Sequence, residues 1–235
     1  MILNYLGSAK IYINHKGDII LVNDTSKPKG LCARIAYHNK PAIIEKRGKC
    51  KLNIKIIHGG ILIENDKSVY ITCISKYNTL RKIRVDYVVI LRRDEDVLEI
   101  RGRSGKRCIR PGDYYDLTND RFIEKIHTMK VEKEFFRLLI SGLKKVEGRL
   151  YDDKRRSFKE GDYIKLVTND GDEAYFLLVA IEVYSSFKEM LKTVGLKNVL
   201  PNVRNIQEGI SVYRRFYSED EEKRYGVCAL YLKPL

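Results

Sequence analysis

The sequence predicts an α+β protein in two parts: an all-β barrel or sandwich over residues 1–125, then a mixed half over residues 126–235. Three observations predict it. Short apolar runs alternate with period two through nearly all of the first half, and a helical period appears near Ile126 before strand patterns return. Charge follows the same divide. Residues 1–125 hold 25 Lys and Arg against 14 Asp and Glu, a balance of +11, whereas residues 126–235 hold 20 against 17, a balance of +3.

In chain order, "KIYIN", "GDIILVN", "LCARIAY", "PAIIEK", "KLNIKII", "GGILIEN", "SVYITCIS", "KIRVDYVVIL" and "DVLEIRGR" are strand candidates. They are separated by turn clusters such as "SKPKG" and "HGG", the punctuation of an antiparallel sheet closing on itself. In "RKIRVDYVV" the alternation puts Ile83, Val85 and Tyr87 on one face and Lys82, Arg84 and Asp86 on the other, so the basic side chains face solvent.

The domain boundary falls at about 125 to 130, where the pattern changes. "VEKEFFRLLISG" places Val131, Phe135, Leu138 and Leu139 at helical spacing and stops at Gly142, a C′ glycine. Strands return in "KVEGRLY", "DYIKLVT" and "EAYFLLVAIEVY", with "TNDGDE" as a hairpin turn. Three short helices follow, opened by Ser186 with Glu189, Asn205 with Glu208, and Ser218 with Glu221, each a capping box or close variant. "GVCALYLKPL" ends the chain as a strand. "IRPGDYYDL" and "FKEGDYIKL" share a Gly-Asp-Tyr, read as one kind of strand-entry turn used twice, because the residues upstream of the two copies do not match.

Composition narrows the function classes. The longest apolar run, Ala174 to Ile181, has eight residues, where a membrane helix needs about 20. The amino terminus lacks a basic segment followed by a sustained apolar one, so an intracellular, cytoplasmic protein is expected. Cys32, Cys50, Cys73, Cys108 and Cys228 are odd in number and widely spaced, and are read as reduced, mostly buried thiols. The four histidines are scattered without metal-ligand spacing, so neither a metal nor a cofactor is expected. A net charge of +14 favours a polyanionic partner, because neutralising phosphates releases condensed counterions. RNA or another nucleic acid is the expected partner, and a membrane is not.

"SGLKKVEGRLYDDKRRSFKEGDYIKL" carries the most chemistry. On a strand after Gly142, alternation places Lys145, Glu147 and Arg149 on one side and Val146, Gly148 and Leu150 on the other, with Lys144 at the junction. A carboxylate between two cations stays ionised and orients the arginine fork, leaving donors for a phosphate or base. With Gly142, Lys144, Glu147 and Arg149 forming G-x-K-x-x-E-x-R behind the helix, the chain resembles the ASCH domain, a PUA-like β-barrel family related to RNA-binding modules. Gly161-Asp162 and the ending "RRFYSEDEEKRYGVCALYL" fit the same family, and the resemblance covers about residues 131–235.

The resemblance implies a PUA-like barrel with flanking helices and a cleft, lined by these residues, that takes up RNA or a modified nucleoside. Some members are amidohydrolases acting on N4-acetylcytidine through the motif lysine and a threonine; Lys144 matches, whereas Glu147 stands where the threonine would be. Other members are linked to RNA cleavage. In an enzyme, Lys144, Glu147 and Arg149 are therefore the catalytic candidates, in a ribonuclease or a modified-nucleoside hydrolase, with Glu147 as general base and Lys144 stabilising an oxyanion.

For nucleic-acid contact the candidates are Lys82, Arg84, Arg101, Arg103, Lys106, Arg107, Arg110, Lys144, Lys145 and Arg149. Within them, "RGRSGKR" suits phosphate-backbone contact and lacks the spacing of a nucleotide-binding loop. Tyr184, Phe187, Tyr213, Phe216 and Tyr217 recur at spacings that helix packing alone explains. Nucleic-acid binding, catalysis in the cleft, and a protein-interaction adaptor with incidental charge are the three function classes that follow.

Overall fold

The computed structural model describes residues 1–7, 10–24, 31–36, 43–46, 52–57, 60–65, 67–72, 84–91, 97–102 and 104–235. The chain divides into two compact units, Met1–Glu124 and Lys125–Leu235.

In the first unit, β1 (Ile2–Gly7), β2 (Lys10–His15), β3 (Asp18–Val22), β4 (Leu31–Ala36) and β5 (Ile43–Lys46) lie side by side in one sheet. A second sheet holds β6 (Asn53–Ile57), β7 (Gly60–Glu64), β8 (Ser68–Thr72), β9 (Tyr87–Leu91), β10 (Leu98–Gly102) and β11 (Gly105–Ile109). β12 (Tyr114–Asp116) and β13 (Arg121–Ile123) then return to the first sheet, outside β1. Ile11, Ile13, Ile20 and Val22 from one sheet and Ile61, Ile63, Val69 and Ile71 from the other belong to a single buried cluster. The unit is thus a sandwich, in which each fully buried branched side chain contributes about 1.5–3 kcal/mol.

The two sheets share one topology. Each begins with a three-strand meander, sets its fourth strand parallel to the third, and returns the fifth antiparallel. β2 and β7 start at residues 10 and 60, and β3 and β8 at 18 and 68. The parallel β3–β4 and β8–β9 pairs correct the expectation of a purely antiparallel sheet. Alternation reports which face is buried, whereas strand direction is set by the connections, which alternation does not read.

Two further expectations are corrected here. Arg84 and Val85 precede β9, which begins only at Tyr87, so Arg84 and Asp86 do not share a strand face; Lys82 and Ile83 lie outside the described residues. Asp86 instead ties the unit together, accepting from the backbone amide and hydroxyl of Ser68 at 3.0 Å each. Cys32 is disulfide-bonded, whereas Cys108 and Cys228 are free. Cysteine partners meet through folding, and sequence spacing carries no record of it.

The second unit is one five-stranded sheet with helices. β14 (Ile126–Lys130), β15 (Val146–Leu150), β16 (Tyr163–Val167), β17 (Glu173–Tyr184) and β18 (Val227–Pro234) run in the order β14-β16-β17-β18-β15, with β14 and β16 parallel. The sheet curls into a half-barrel. Cations from its far end bond carbonyls of β14: Arg149 Nη2 donates to Lys130 O at 2.7 Å and Lys154 Nζ to Thr128 O at 2.9 Å.

The helices are α1 (Lys133–Ile140), α2 (Asp153–Arg156), α3 (Phe187–Val194), α4 (Leu196–Val199), α5 (Ile206–Arg214) and α6 (Glu219–Tyr225). Ser186, Asn205 and Ser218 each cap a helix as predicted, but only Ser218–Glu221 closes a reciprocal box. Glu189 and Glu208 reach one residue further back, to the amides of Ser185 and Arg204. The four-residue helices α2 and α4 are additions to the sequence expectation.

The two Gly-Asp-Tyr stretches form the same turn. Gly112 and Gly161 have φ of 91° and 89°, a left-handed conformation that favours glycine. Asp113 Oδ2 accepts from the amide of Arg110, and Asp162 Oδ2 from that of Lys159, at 2.9 Å in both. Each turn then grips one residue of a facing strand through two backbone bonds, Tyr5 in the first unit and Leu178 in the second. The second copy has one added partner, with His127 Nε2 lying 2.8 Å from Asp162 Oδ2. Asp113→Ala should cost about 1 kcal/mol and Asp162→Ala about 1–3 kcal/mol, because the latter also strands a buried imidazole. Thermal unfolding of the two variants checks the order, and equal losses would dismiss the histidine's part.

Candidate functional site

In the second unit a cavity of about 290 Å³ opens between β15 and the helices, its walls including Lys130, Phe135, Glu147, Arg149, Tyr213 and Tyr217. That volume is near the lower end of small-molecule sites, enough for one compact group rather than a length of polymer.

The site begins at the end of α1. Gly142 has φ of 75° and its amide bonds Leu139 O at 3.1 Å, reversing the chain so that Lys144 N reaches Leu138 O at 3.0 Å. The Lys144 side chain then points inward and is 1% exposed. Its ammonium donates to Val199 O at the end of α4, lies 3.2 Å from Glu147 Oε2, and sits over the Phe135 ring at 5.6 Å. Lys145 is exposed, with its backbone tied to Asn198 O and Leu232 N. The buried cation beside Glu147 is therefore Lys144 rather than Lys145, since the tight turn at Gly142 sets direction before strand alternation starts.

Glu147 is the hub. Its Oε2 faces Lys144, and its Oε1 takes Arg149 Nη2 at 2.9 Å. Burial alone would raise the carboxyl's pKa, but Lys144 and Arg149 together hold it below the ordinary glutamate range. Burial likewise draws Lys144 below the usual lysine range, with Glu147 opposing it. Arg149 is fixed from three sides, by Glu147, by Lys130 O, and by the Tyr217 hydroxyl at 3.3 Å from Nη1.

Opposite β15, α5 presents Tyr213. Its ring stacks on Phe187 at 4.0 Å and 10°, and its hydroxyl presses on Gly148 so closely that a Cβ there would meet it at 2.3 Å. Tyr213, Phe216 and Tyr217, three of the five aromatics whose spacing helix packing explains, line the cavity. Their signal was the clustering of three aromatics in five residues at the end of a helix. Glu222 anchors this wall from below, accepting from Phe187 N at 2.6 Å and from Arg214.

The remaining candidates belong to the first unit. Arg101, Lys106 and Arg107 form the β10–β11 hairpin, in which Glu99 takes both Arg101 and Lys106, the latter at 2.8 Å. Burial raises the Glu99 pKa, and hydrogen bonds from Lys106 and Arg101 overcome it to leave the carboxyl lowered. Two of the predicted phosphate contacts thus share one carboxylate, which offsets one of their two charges. Arg84 and Arg110 are exposed, Arg107 is half-buried, and Arg103 lies outside the described residues. Among the described residues no His, Cys, Asp and Glu group is arranged to hold a metal ion, and no helix is long and apolar enough to cross a membrane.

Glu147→Gln leaves two cations sharing a neutral acceptor inside the unit and should cost about 3–5 kcal/mol. Because the folded pKa of Glu147 is lowered, its contribution is complete above the unfolded value of about 4.3 and is lost as the pH falls through the folded value. Urea unfolding from pH 6 to pH 2 should therefore show a steeper loss in the wild type than in Glu147→Gln, and parallel curves would contradict the ion-pair account.

The model of the ASCH domain family matches residues 129–235. Among solved structures, the chain is 47% identical to hypothetical protein PH0355, over 47% of this chain and 100% of that one, with a TM-score of 0.44. It is 48% identical to protein PF0455 from Pyrococcus furiosus, over 47% of this chain and 98% of that one, with a TM-score of 0.41. A variant of ZmASCH from Zymomonas mobilis is 17% identical, over 47% and 73%, with a TM-score of 0.31. No curated protein matches. With the whole of PH0355 aligned at this identity and the family match over the unit that holds Lys144, Glu147 and Arg149, the chain belongs to the ASCH domain family, whose fold is PUA-like.

Proposed function

We propose that this protein binds RNA, placing one unpaired base in the cavity of its second unit while basic side chains elsewhere hold the phosphate backbone. The observation that carries the reading is the cavity wall itself. It joins an arginine held at fixed orientation by a buried carboxylate to the rings of Phe216 and Tyr217, a combination suited to stacking and hydrogen-bonding a splayed base. The +11 balance of residues 1–125 supports a polyanionic partner. The family's fold, linked in general to RNA binding, agrees with it.

The geometry counts against hydrolysis as the first reading. A general base must take up the reacting proton, and Glu147, with a cation at each oxygen, is held below the ordinary glutamate range and is a weak base. The Lys144 ammonium is already engaged by Val199 O and by Glu147. Both groups act instead to position Arg149.

Full-length protein should bind single-stranded RNA with an affinity that falls with salt, each phosphate contact adding about 0.7 to the log-log slope. Arg149→Lys keeps the charge and loses the planar fork. It should weaken binding at least about tenfold, or about 1.4 kcal/mol, at every salt concentration while leaving the slope unchanged. Absence of RNA retention at about 50 mM salt would sink the reading. Unchanged affinity in folded Arg149→Lys protein would move the ligand out of the cavity.

A further inference from the structure

The residues lining the cavity differ in depth. Phe135, Lys144, Glu147 and Tyr213 are buried and form its floor, whereas Lys130, Asn169 and Phe216 are exposed and mark its mouth. A base seated on that floor leaves its sugar and phosphate at the mouth, so the groups standing there meet the backbone of the nucleic acid.

Two consecutive arginines close α5, and they are used differently. Arg214 bonds Glu222 and lies 3.8 Å from Glu219, so two acids share it. Arg215 has one acid. Its Nη2 lies 2.7 Å from Glu132 Oε1, and its guanidinium sits over the Phe216 ring at 5.1 Å. Glu132 and Phe216 both line the cavity, so these two contacts place the guanidinium at the mouth, where the Arg215 side chain is 56% exposed. Among the described residues its Nε and Nη1 have no partner.

An exposed pair of this kind contributes little to stability, because water screens it. It does set direction. A carboxylate at one end and an aromatic face beneath hold the planar fork in one orientation, and a guanidinium so held loses less freedom when it takes up a phosphate oxygen. Glu147 orients Arg149 inside the cavity in the same way, but both Nη groups of Arg149 are engaged by protein atoms. Arg215 keeps two donor nitrogens for a ligand.

We infer that Arg215 binds the phosphate of the nucleotide whose base occupies the cavity, so that the site takes a nucleotide rather than a nucleoside. This inference rests on the proposal that the cavity takes a base. Arg215 lies outside the G-x-K-x-x-E-x-R pattern and outside the basic first unit. Recognition is then divided between two arginines, with Arg149 meeting the base and Arg215 anchoring the backbone beside it. A phosphate contact displaces condensed counterions and a base contact does not, so salt dependence separates the two.

The test measures binding of single-stranded RNA by the full chain between about 50 and 200 mM salt. Arg215→Gln should weaken binding several-fold and lower the log-log slope by about 0.7, the share of one phosphate contact. Arg149→Lys should weaken binding with the slope unchanged. Lys192→Gln removes one charge from an exposed position on α3 that is not part of the cavity wall, and should keep the wild-type slope. Calorimetry then compares uridine, cytidine, adenosine and guanosine with their 5′- and 3′-monophosphates. For the base that binds, one monophosphate isomer should bind the wild type at least tenfold more tightly than the nucleoside. Arg215→Gln should remove that advantage while nucleoside affinity and melting temperature stay nearly unchanged. An unchanged slope in Arg215→Gln would overturn the proposal, as would an equal loss of slope in Lys192→Gln. So would a fall in nucleoside affinity matching that of the monophosphate, which would make Arg215 a prop for the wall. If Arg149→Lys weakens RNA binding and Arg215→Gln does not, the base reading stands and this inference falls. Binding of neither RNA nor mononucleotide would remove both together.

Discussion

The second unit is organised around one buried carboxylate. Glu147 holds Lys144 with one oxygen and Arg149 with the other, and each cation then secures a different part of the fold. Lys144 reaches the carbonyl of Val199 and fixes the end of α4. Arg149 reaches Lys130 O on β14 and Tyr217 after α5. An isolated charge could not be buried here at tolerable cost, and two cations around one acid leave an excess of positive charge that backbone carbonyls and a phenol help to balance. The cavity exists because these three side chains hold strand and helices at a fixed separation while Gly148 leaves room for Tyr213.

What could be read in the sequence follows from how local the governing physics is. The turn at Gly142, the caps at Ser186, Asn205 and Ser218, and the two Gly-Asp turns depend on residues within four positions of each other, and all are visible in the letters. The pairing of Glu147 with Arg149 is also local, two residues apart on one strand. Lys144 was part of the motif, but alternation pointed to Lys145 as the neighbour, because a strand rule was extended into a turn. The contacts of Val199, Tyr213 and Lys130 join residues tens of positions apart, and no periodicity encodes such meetings.

The first unit shows a different limit. Alternation located its strands well but concealed that β1–β5 and β6–β10 repeat one arrangement with parallel central pairs. The spacing of 50 between β2 and β7 was present in the chain, yet few side chains coincide between the halves, so only the pairing exposed it. The basic hairpin shows a related limit: Glu99 precedes "RGRSGKR" by only two residues, but its engagement with Lys106 requires the chain to double back.

The bonds from Arg149 and Lys154 to β14 carbonyls have a consequence outside recognition. Among the described residues β14 pairs within its sheet only with β16, and a strand with one unpaired side is a template on which another chain can add a strand. Here Thr128 O and Lys130 O are already occupied by long cationic side chains. An incoming strand would have to displace both before forming its first backbone bonds. The arginine that orients the cavity wall thereby also guards the open edge of the sheet, so its loss would expose the protein to edge-to-edge association as well as to weaker binding.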